Sequence, residues 1–404
     1  MSQKKIEKKI DKWKILLYAN IDSIVITIVQ NNDNLIYQSF FSLKFLQTFK
    51  FFESKKSINE IIDYISNLSD QNLLELNELG GKLILYFDTN TKLILDKKEN
   101  FTKETNEIKI EELNQINSIQ SHLSWIRSLS IFPSGNIISV SNDQSINIYD
   151  NTLKIIQSIS KAHDHIIYYV SVKDDNNFVT CSLDESIKTW IKKEPNDKFI
   201  LNQIINNAHN GWIYKVIYSL KGNLISCSFD ETIKIWEENN NKYQSISILK
   251  HSNEISSILL LEDKNILISS SLDGTKIWNF NNCELLSFMR AIGNGNNILE
   301  RIDDDRIING GFNGYMYIIS ISKKKVIYGI RNGFRCCGVC VFKNRGIFFI
   351  AGDSRDIKIY RNDNYECIKI YKYAHFDNIY GLTKLNDNTF ASYGCDKIIK
   401  IWSF

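Results

Sequence analysis

The stretch that decides the fold is AHNGWIYKVIYSLKGNLISCSFDETIKIWE, residues 208–237. Within it His209 lies 21 residues before Asp230, and Trp236 follows six residues later. Apolar and polar residues alternate between these positions, and turn residues separate the alternating runs, which is the pattern of short β-strands. The stretch therefore predicts a unit of short strands joined by turns.

The same spacing recurs along the chain, so this stretch is one copy of an internal repeat. The His and Asp are 21 residues apart in four copies and 22 apart in the fifth. An aromatic residue follows the Asp by six positions, or by five in the copy with the longer separation. The three positions are occupied by His122, Asp143 and Tyr149; His163, Asp184 and Trp190; His209, Asp230 and Trp236; His251, Asp273 and Trp278; and His375, Asp396 and Trp402.

The number of repeats follows from the gap before the last copy. Units of about 40 residues with four short strands each are typical of β-propeller blades. The residues after Asp273 and before the last copy leave room for two further, degenerate blades. Asn313 and Ser354 take the Asp position in these blades, while Ile292 and Gly333 stand at the His position. The sequence therefore predicts a mainly β chain with a seven-bladed β-propeller.

A family resemblance is carried by the stretches AHNGWIYKV…LISCSFDETIKIWE and AHDHIIYYV…VTCSLDESIKTW. Through them, residues 114–404 resemble the WD-repeat family of β-propellers. The Asp that this family places after the aromatic residue is present only at Asp150. The resemblance implies that each His bonds a Ser or Thr of the second strand, the Asp of the tight turn and the Trp indole. The Ser or Thr positions, four residues before each Asp, are Ser139, Thr180, Ser226, Ser269 and Ser392.

A His paired with an Asp also invites a catalytic interpretation, because such a pair orients the imidazole in hydrolases. An active site occurs once, whereas this pair recurs five times along the chain. Buried polar groups that satisfy one another fix loops relative to strands. We therefore assign the His, Asp and aromatic positions to a structural network, and we predict no catalytic residue and no cofactor.

The segment Cys336–Cys340 contains one CxxC motif, Cys337 to Cys340, which could indicate a metal or redox site. No second CxxC and no nearby His accompany it. The segment falls on the predicted first strand of blade six, and small buried thiols pack well in such strands. We favour packing and predict no metal site, with zinc binding as the alternative.

The two ends of the repeat predict how the ring closes. Phe404 follows the third strand of the last blade, so this blade needs a fourth strand from elsewhere. Residues 114–121, NQINSIQS, read as a strand that lies just before the first His. Pairing it with the C-terminal blade would close the ring and remove two exposed edges. We therefore expect the propeller to span residues 114–404, closed by strand 114–121.

Residues 1–98 do not follow the repeat and predict a small α+β module with a basic N terminus. Strands are predicted on both sides of residues 31–34 and of residues 80–81. Two helices are predicted between these hairpins, the second opened by the capping box Ser57–Glu60. The lysine-rich start is expected to be a frayed, solvated terminus. A polar linker, residues 99–113, leads to the propeller.

Partner binding is expected on the propeller face that the resemblance implies, the one with the His-bearing and Asp-bearing loops. The positions three and five after each His, and one before each Asp, would line the rim of this face. Aromatic residues with a single Arg have the composition of a protein-binding hot spot, and packing beneath neighbouring loops is the alternative. The predicted rim residues are Trp125, Arg127, Tyr168, Leu183, Trp212, Tyr214, Phe229, Leu272, Phe312 and Tyr380.

Composition and charge limit the kinds of partner and the cellular compartments that fit this chain. The net charge is +3 and the first fourteen residues carry +4, so the other 390 sum to −1, which disfavours nucleic acid as a partner. No apolar run approaches the ~18–20 residues of a membrane span. Eight irregularly spaced Cys indicate reduced thiols, which favours the cytoplasm, with the nucleus as the alternative.

The expected function is that of a non-enzymatic scaffold or adaptor that binds protein or peptide partners and takes no small-molecule substrate. The alternative is a subunit of a larger complex, such as a ubiquitin-ligase substrate adaptor or an RNA-processing particle. An adaptor fits the predicted organisation because the module and the propeller rim would each offer a binding surface.

Overall fold

A computed structural model describes the backbone of seven strands between residues 5 and 97, and it describes residues 113–404 apart from 241, 291–295 and 312. The chain divides into two compact units, Met1–Lys109 and Ile110–Phe404.

The described strands of the first unit form one antiparallel sheet. In chain order they are β1 Lys5–Ile10, β2 Trp13–Ala19, β3 Ser23–Gln30, β4 Ile36–Ser42, β5 Glu75–Leu79, β6 Lys82–Tyr86 and β7 Lys92–Lys97. Their order across the sheet is β1-β2-β3-β4-β7-β6-β5. Strands β3 and β4 pair across residues 31–35, and β5 and β6 pair across residues 80–81.

The lysine-rich start differs from the expectation of a frayed terminus. Strand β1 pairs with β2 along its whole length, from Lys5 opposite Tyr18 to Ile10 opposite Trp13. The expectation is wrong for these residues because the edge of β2 offers hydrogen-bonding partners to the backbone of β1. The two predicted helices and residues 99–112 of the predicted linker lie outside the described residues.

The second unit contains seven four-stranded antiparallel sheets, so the predicted seven-bladed β-propeller is confirmed. Blades one to three follow one another along the chain, and each sheet keeps its strands in chain order. Their strands are β9 Ile126–Ile131, β10 Ile137–Ser141, β11 Ile146–Tyr149 and β12 Ile155–Ile159; β13 Ile167–Asp174, β14 Asn177–Ser182, β15 Ile187–Ile191 and β16 Ile200–Ile205; and β17 Ile213–Tyr218, β18 Leu224–Ser228, β19 Thr232–Asn239 and β20 Lys242–Lys250.

Blades four to seven repeat this plan, except that blade seven takes its fourth strand from the segment before blade one. Their strands are β21 Ile255–Leu261, β22 Ile266–Ser271, β23 Gly274–Asn279 and β24 Leu285–Arg290; β25 Asn296–Arg301, β26 Arg306–Gly311, β27 Tyr315–Ser320 and β28 Lys325–Arg331; β29 Cys336–Phe342, β30 Ile347–Gly352, β31 Ser354–Arg361 and β32 Cys367–Tyr371; and β33 Ile379–Lys384, β34 Thr389–Gly394, β35 Ile398–Ser403 and β8 Asn114–Gln120. The helices that the structure describes are two 3₁₀ helices, Glu262–Lys264 and Lys343–Arg345, and neither is long and apolar enough to cross a membrane.

The ring closes at two places between blades seven and one. Strand β8 pairs antiparallel with β35, with Gln120 opposite Ile398 and Asn114 opposite Ser403. The first strands of the two blades, β33 and β9, are also in contact. Because β8 leads directly towards β9, the pairing ties the first blade to the last.

The apolar core lies between neighbouring blades. Ile148 of blade one packs in one cluster with Val170, Phe178 and Trp190 of blade two, and the Phe178 ring stacks on the Trp190 ring at 5.7 Å. Strand β10 is buried at every position. Inner strands of this kind are apolar or small throughout because both of their faces meet protein.

A β-bulge interrupts the first strand of every blade. In β13, Ile167 lies opposite Ser182 and Tyr169 lies opposite Cys181, so Tyr168 is the extra residue. Bulges bend a strand and re-aim a side chain, and they are common beside functional sites. The extra residues, called the bulge residues below, are Arg127, Tyr168, Tyr214, Ser256, Asn297, Cys337 and Tyr380.

Candidate functional site

Five blades, called the regular blades below, keep the His, Asp and aromatic positions, and each contains a hydrogen-bonded network of these residues. In blade three, His209 Nδ1 donates to Asp230 Oδ2 at 3.0 Å, and Ser226 Oγ lies 2.7 Å from His209 Nε2. The Trp236 indole donates to the same Ser226 Oγ at 2.9 Å. Asp230 Oδ2 also accepts the Asn210 backbone N–H at 3.0 Å. One chain of bonds thus links the loop, the turn and the second and third strands.

The other regular blades have the same contacts. In blades one, two, four and seven the distances from His Nε2 to the Ser or Thr oxygen are 2.7, 2.8, 2.7 and 2.6 Å. The distances from His Nδ1 to the Asp carboxylate are 3.1, 2.9, 2.6 and 2.8 Å. The aromatic position bonds the Ser or Thr oxygen through Tyr149, Trp190, Trp278 and Trp402. Because both ring nitrogens of each His are already bonded, we assign these networks to the scaffold rather than to chemistry.

A repeated lysine also fastens five of the blades, and this role was not predicted from the sequence. It lies four residues after the Asp position, or three in blade four. Its Nζ donates at 2.6–2.8 Å to the carbonyl oxygen of the residue before the His position. Its constant spacing is the signal that could have found it. The lysines are Lys188, Lys234, Lys276, Lys358 and Lys400.

Burial and hydrogen bonding shift the pKa values within the networks. Burial lowers the pKa of His163, His209 and His251, against the opposing effect of their aspartates. Burial alone would raise the pKa of Asp184, but hydrogen bonds from His163 and Ser186 hold this pKa well below its usual range. The folded protein therefore favours a neutral imidazole beside an ionised carboxylate.

We expect the thermal midpoint of the propeller to fall as the pH is lowered from 7 to 5. Histidines in the unfolded chain take up protons near pH 6.5, whereas His163, His209 and His251 have lowered pKa values when folded. The unfolded state then binds more protons, so this stability is present above about pH 6.5 and is lost below it. Circular dichroism melts at stepped pH values measure the slope. The slope should survive replacement of the exposed His165 by asparagine, and a midpoint that stays constant or rises on acidification would contradict the expectation.

Six of the seven bulge residues meet at the mouth of a central channel. The channel holds a cavity of about 480 Å³, and the first strand of every blade contributes to its lining. Pockets of a few hundred Å³ are large enough to enclose a ligand or a side chain of a partner. The bulge residues that line the cavity are Arg127, Tyr168, Tyr214, Ser256, Cys337 and Tyr380.

Arg127 joins aromatic rings from three blades. Its guanidinium carbon lies 4.5 Å from the ring centroid of Tyr380, 5.1 Å from that of Tyr168 and 5.4 Å from that of Trp125. Its Nε donates to Asn142 Oδ1 at 2.6 Å. Each cation–π contact contributes roughly 0.5–2 kcal/mol. The rings are therefore held in place around the guanidinium before any partner arrives.

Two further contacts extend this surface into blade three. The Tyr214 ring meets the Tyr168 ring edge-on at 5.0 Å. The Trp212 and Phe229 rings lie 5.4 Å apart and are 47% and 49% exposed. Arg127, the three rings around it and Tyr214 are called the mouth cluster below; its members are Trp125, Arg127, Tyr168, Tyr214 and Tyr380.

The remaining predicted rim residues have no place in this cluster. Leu183 is half-buried, and its backbone N–H bonds to the Ile166 carbonyl oxygen. Leu272 is 38% exposed. Phe312 lies outside the described residues.

Arg335 and Cys337 reach the mouth too, but counting from the His position does not find them. The Asp353 N–H donates to the Arg335 carbonyl oxygen at 3.0 Å, a bond made in blades one, two, three and seven by the residue before the Asp. The loop after Gly333 is one residue shorter than the loop after each His. Counting three and five residues from Gly333 therefore gives positions one residue beyond Arg335 and Cys337. A sequence signal could have located them. Asp353 directly precedes Ser354, which takes the Asp position, and its partner on the paired strand is Arg335, two residues before Cys337.

The cysteines around the CxxC motif differ in their surroundings, because Cys337 lies at the channel mouth whereas the other two are packed inside the protein. Cys336 and Cys340 are buried, and Cys337 is half-buried with its Sγ 3.8 Å from Asp353 Oδ1. Burial raises the pKa of Cys337 to about 12, and a protonated thiol is a poor nucleophile and metal ligand. Within the part of the chain that the structure describes, no three His, Cys, Asp or Glu residues are grouped to hold a metal ion. Packing stays our prediction for this motif.

Seven four-stranded blades with repeated His–Ser–Asp–Trp networks define a propeller built from WD repeats. The family model described as WD domain, G-beta repeat matches residues 113–150, 153–190 and 202–237. Each matched segment begins on the fourth strand of one blade and continues through three strands of the next. The second unit is therefore a WD-repeat β-propeller, and propellers of this family typically act as protein-interaction scaffolds and are generally non-enzymatic. No curated protein is similar enough to the chain to count as a match.

Proposed function

We propose that this protein is an adaptor whose propeller binds a protein or peptide through the mouth cluster and the Trp212–Phe229 pair. The observation that carries the proposal is the gathering of aromatic rings from three blades around Arg127. The N-terminal module would bind or position a second partner. The reduced thiols favour the cytoplasm or the nucleus as its place of action.

The physical support lies in the type of residue and in how it is held. Trp, Tyr and Arg are the residues that most often dominate binding energy at protein interfaces. Rings already held in one arrangement lose little conformational entropy when a partner binds. The cluster and the exposed pair therefore make a better protein-binding surface than an equal area of flexible polar loop. We propose neither nucleic acid nor a small-molecule substrate for this surface.

A subunit of a larger complex is the second candidate, and a different surface favours it. The fourth strands of several blades form the outer edge of the ring and expose isoleucines to solvent. Ile116, Ile156, Ile246 and Ile248 are 57%, 50%, 52% and 52% exposed. A complex such as a ubiquitin ligase or an RNA-processing particle would pack against these strands instead of the channel mouth.

The double variant Trp212→Ala/Phe229→Ala should lose a partner that co-purifies with the wild type. Two hot-spot side chains of this kind together contribute roughly 2–4 kcal/mol, so the affinity for that partner should fall about 30-fold or more. Mass spectrometry of co-purified proteins identifies the partner, and titration calorimetry with the purified partner measures the change.

The matched control is Ile246→Ala/Ile248→Ala, which removes two side chains of similar exposure from the outer edge. The control should keep the partner, and circular dichroism should show that both variants fold. An unchanged partner list for the rim variant would move the function to the N-terminal module or to the outer strands.

A further inference from the structure

The channel behind the mouth cluster contains a cation that has no hydrogen bond and no ion pair among the described residues. Lys215 directly follows the bulge residue Tyr214, so it lies one residue deeper in the channel wall. Its Nζ is 5.2 Å from the ring centroid of Tyr169. Among the described residues, its ammonium group has no hydrogen bond and no ion pair. Lys215 lines the cavity, and its three N–H donors have no acceptor in the part of the chain that the structure describes.

This arrangement is unlike that of the repeated lysines, each of which donates to a backbone carbonyl oxygen. It is also unlike that of Lys384, which lines the same cavity and forms an ion pair with Asp387 at 2.6 Å. An unpaired ammonium in a confined space is costly, because it loses hydration without gaining a partner. Burial accordingly lowers the pKa of Lys215, with Glu300 acting in the opposite direction.

Glu300 favours the charged form of Lys215, but the two side chains form no ion pair. It lines the cavity on blade five, and its Oε1 accepts the Arg301 backbone N–H at 3.2 Å. No ion pair within 4 Å joins it to Lys215 among the described residues. Four cationic side chains and two carboxylates line the cavity as a whole, which leaves a formal excess of two positive charges. The channel is therefore complementary to an anionic group.

We propose that the partner inserts a Glu or Asp side chain into this channel and that Lys215 forms the ion pair with it; this rests on the proposed binding function. The mouth cluster would pack against the residues on either side of the inserted acid. A charge pair enclosed by protein is stronger than the same pair in water. Phosphate groups are most often held by clusters of Arg, and the Arg127 guanidinium is already occupied by three rings and Asn142.

The test is a selection of phage-displayed random octapeptides on the full-length protein. The peptides are fused at their C termini, so the carboxylates they offer are those of Glu and Asp side chains. Sequences selected on the wild type should share one Glu or Asp position. A synthetic, C-terminally amidated peptide of the selected sequence should bind at least about tenfold more weakly when that residue is changed to Gln or Asn, as expected for an enclosed charge pair.

Two variants assign this preference to the channel. Lys215→Met keeps the length of the side chain and removes the charge. The acidic peptide and the peptide with Gln or Asn in place of the acid should therefore bind this variant equally. Glu300→Gln removes a negative charge from the lining, so the acidic peptide should bind this variant several-fold more tightly than the wild type.

The failures can be told apart. Selected sequences with no shared acid, or a tenfold acid preference that persists in Lys215→Met, would overturn the ion pair while the binding surface stands. If the wild type selects no sequence, or if Trp212→Ala/Phe229→Ala selects the same sequences as the wild type, the proposed binding function fails and the inserted acid fails with it.

Discussion

Asp184→Ala should lower the free energy of unfolding of the propeller by about 3 kcal/mol. The Asp184 carboxylate accepts His163 Nδ1 at 2.9 Å, the Asp164 N–H at 3.0 Å, and both the N–H and the Oγ of Ser186 at 2.9 and 2.6 Å. Alanine removes the acceptor of all four bonds, and it leaves the fully buried His163 Nδ1 with only the Ser186 Oγ at 3.1 Å. An unsatisfied buried donor costs roughly 1–3 kcal/mol, which sets the size of the effect.

The matched control for this variant is Asp164→Ala, in the same blade. Asp164 is exposed, and its contribution to the network is its backbone N–H, which alanine keeps. Urea unfolding followed by tryptophan fluorescence should give a loss of about 0.5 kcal/mol or less for the control. Equal losses for the two variants would mean that the network contributes little to stability.

Gly381→Ala should destabilise the propeller by a similar amount, on the order of 3 kcal/mol, through a steric conflict. Gly381 lies on β33, and a Cβ added there would be 2.1 Å from Tyr393 Oη and 2.2 Å from Tyr393 Cζ. The Tyr393 ring is 7% exposed, so packed neighbours oppose the movement of the ring that the methyl group demands. The strand or the ring must shift to admit one methyl group.

A double-mutant cycle identifies the cause of this loss. In a Tyr393→Ala background the added methyl group meets no ring, so Gly381→Ala should cost about 1 kcal/mol or less there, and the two losses should not add. Gly329→Ala is the control, because the nearest atom to its added Cβ is the Tyr317 ring at 3.8 Å. Chemical denaturation of the four proteins of the cycle gives the coupling energy. Additive losses would show that Tyr393 is not the obstacle.

The fold could be predicted because its determinants are local. The His, Ser, Asp and Trp of one network lie within 28 residues of one another, and each set repeats at nearly constant spacing. Such a set is visible in a single sequence, since every blade must satisfy the same buried donors and acceptors. The degenerate blades kept their strand pattern and could be counted even though His and Asp are missing from them. Strand 114–121 could be paired with the last blade because a three-stranded blade leaves an edge to fill.

The first unit shows the limit of local reading. The hairpins across residues 31–35 and 80–81 could be predicted from their turn residues, because the two strands of each are neighbours along the chain. The pairing of β4 with β7, which joins the two halves of the sheet, links Tyr37 with Lys97 across 60 residues. No turn signal specifies such a pair. The strand formed by the lysine-rich start likewise depends on an edge that only the folded sheet provides.

The number of blades, the networks that fasten them and the positions of most side chains on the rim could all be inferred from the sequence alone. The contacts of Arg127 with Trp125, Tyr168 and Tyr380 became visible only in the folded chain. The same holds for Cys337, which reaches the channel mouth one residue before the position counted from Gly333, and for Lys215, which lines the channel with no hydrogen bond or ion pair among the described residues. The physical reason is that a network is built within one repeat, whereas the channel wall takes one strand from each of seven repeats. Which side chains meet there depends on closure of the ring and on the bulge in each first strand, and neither has a signature within a single repeat.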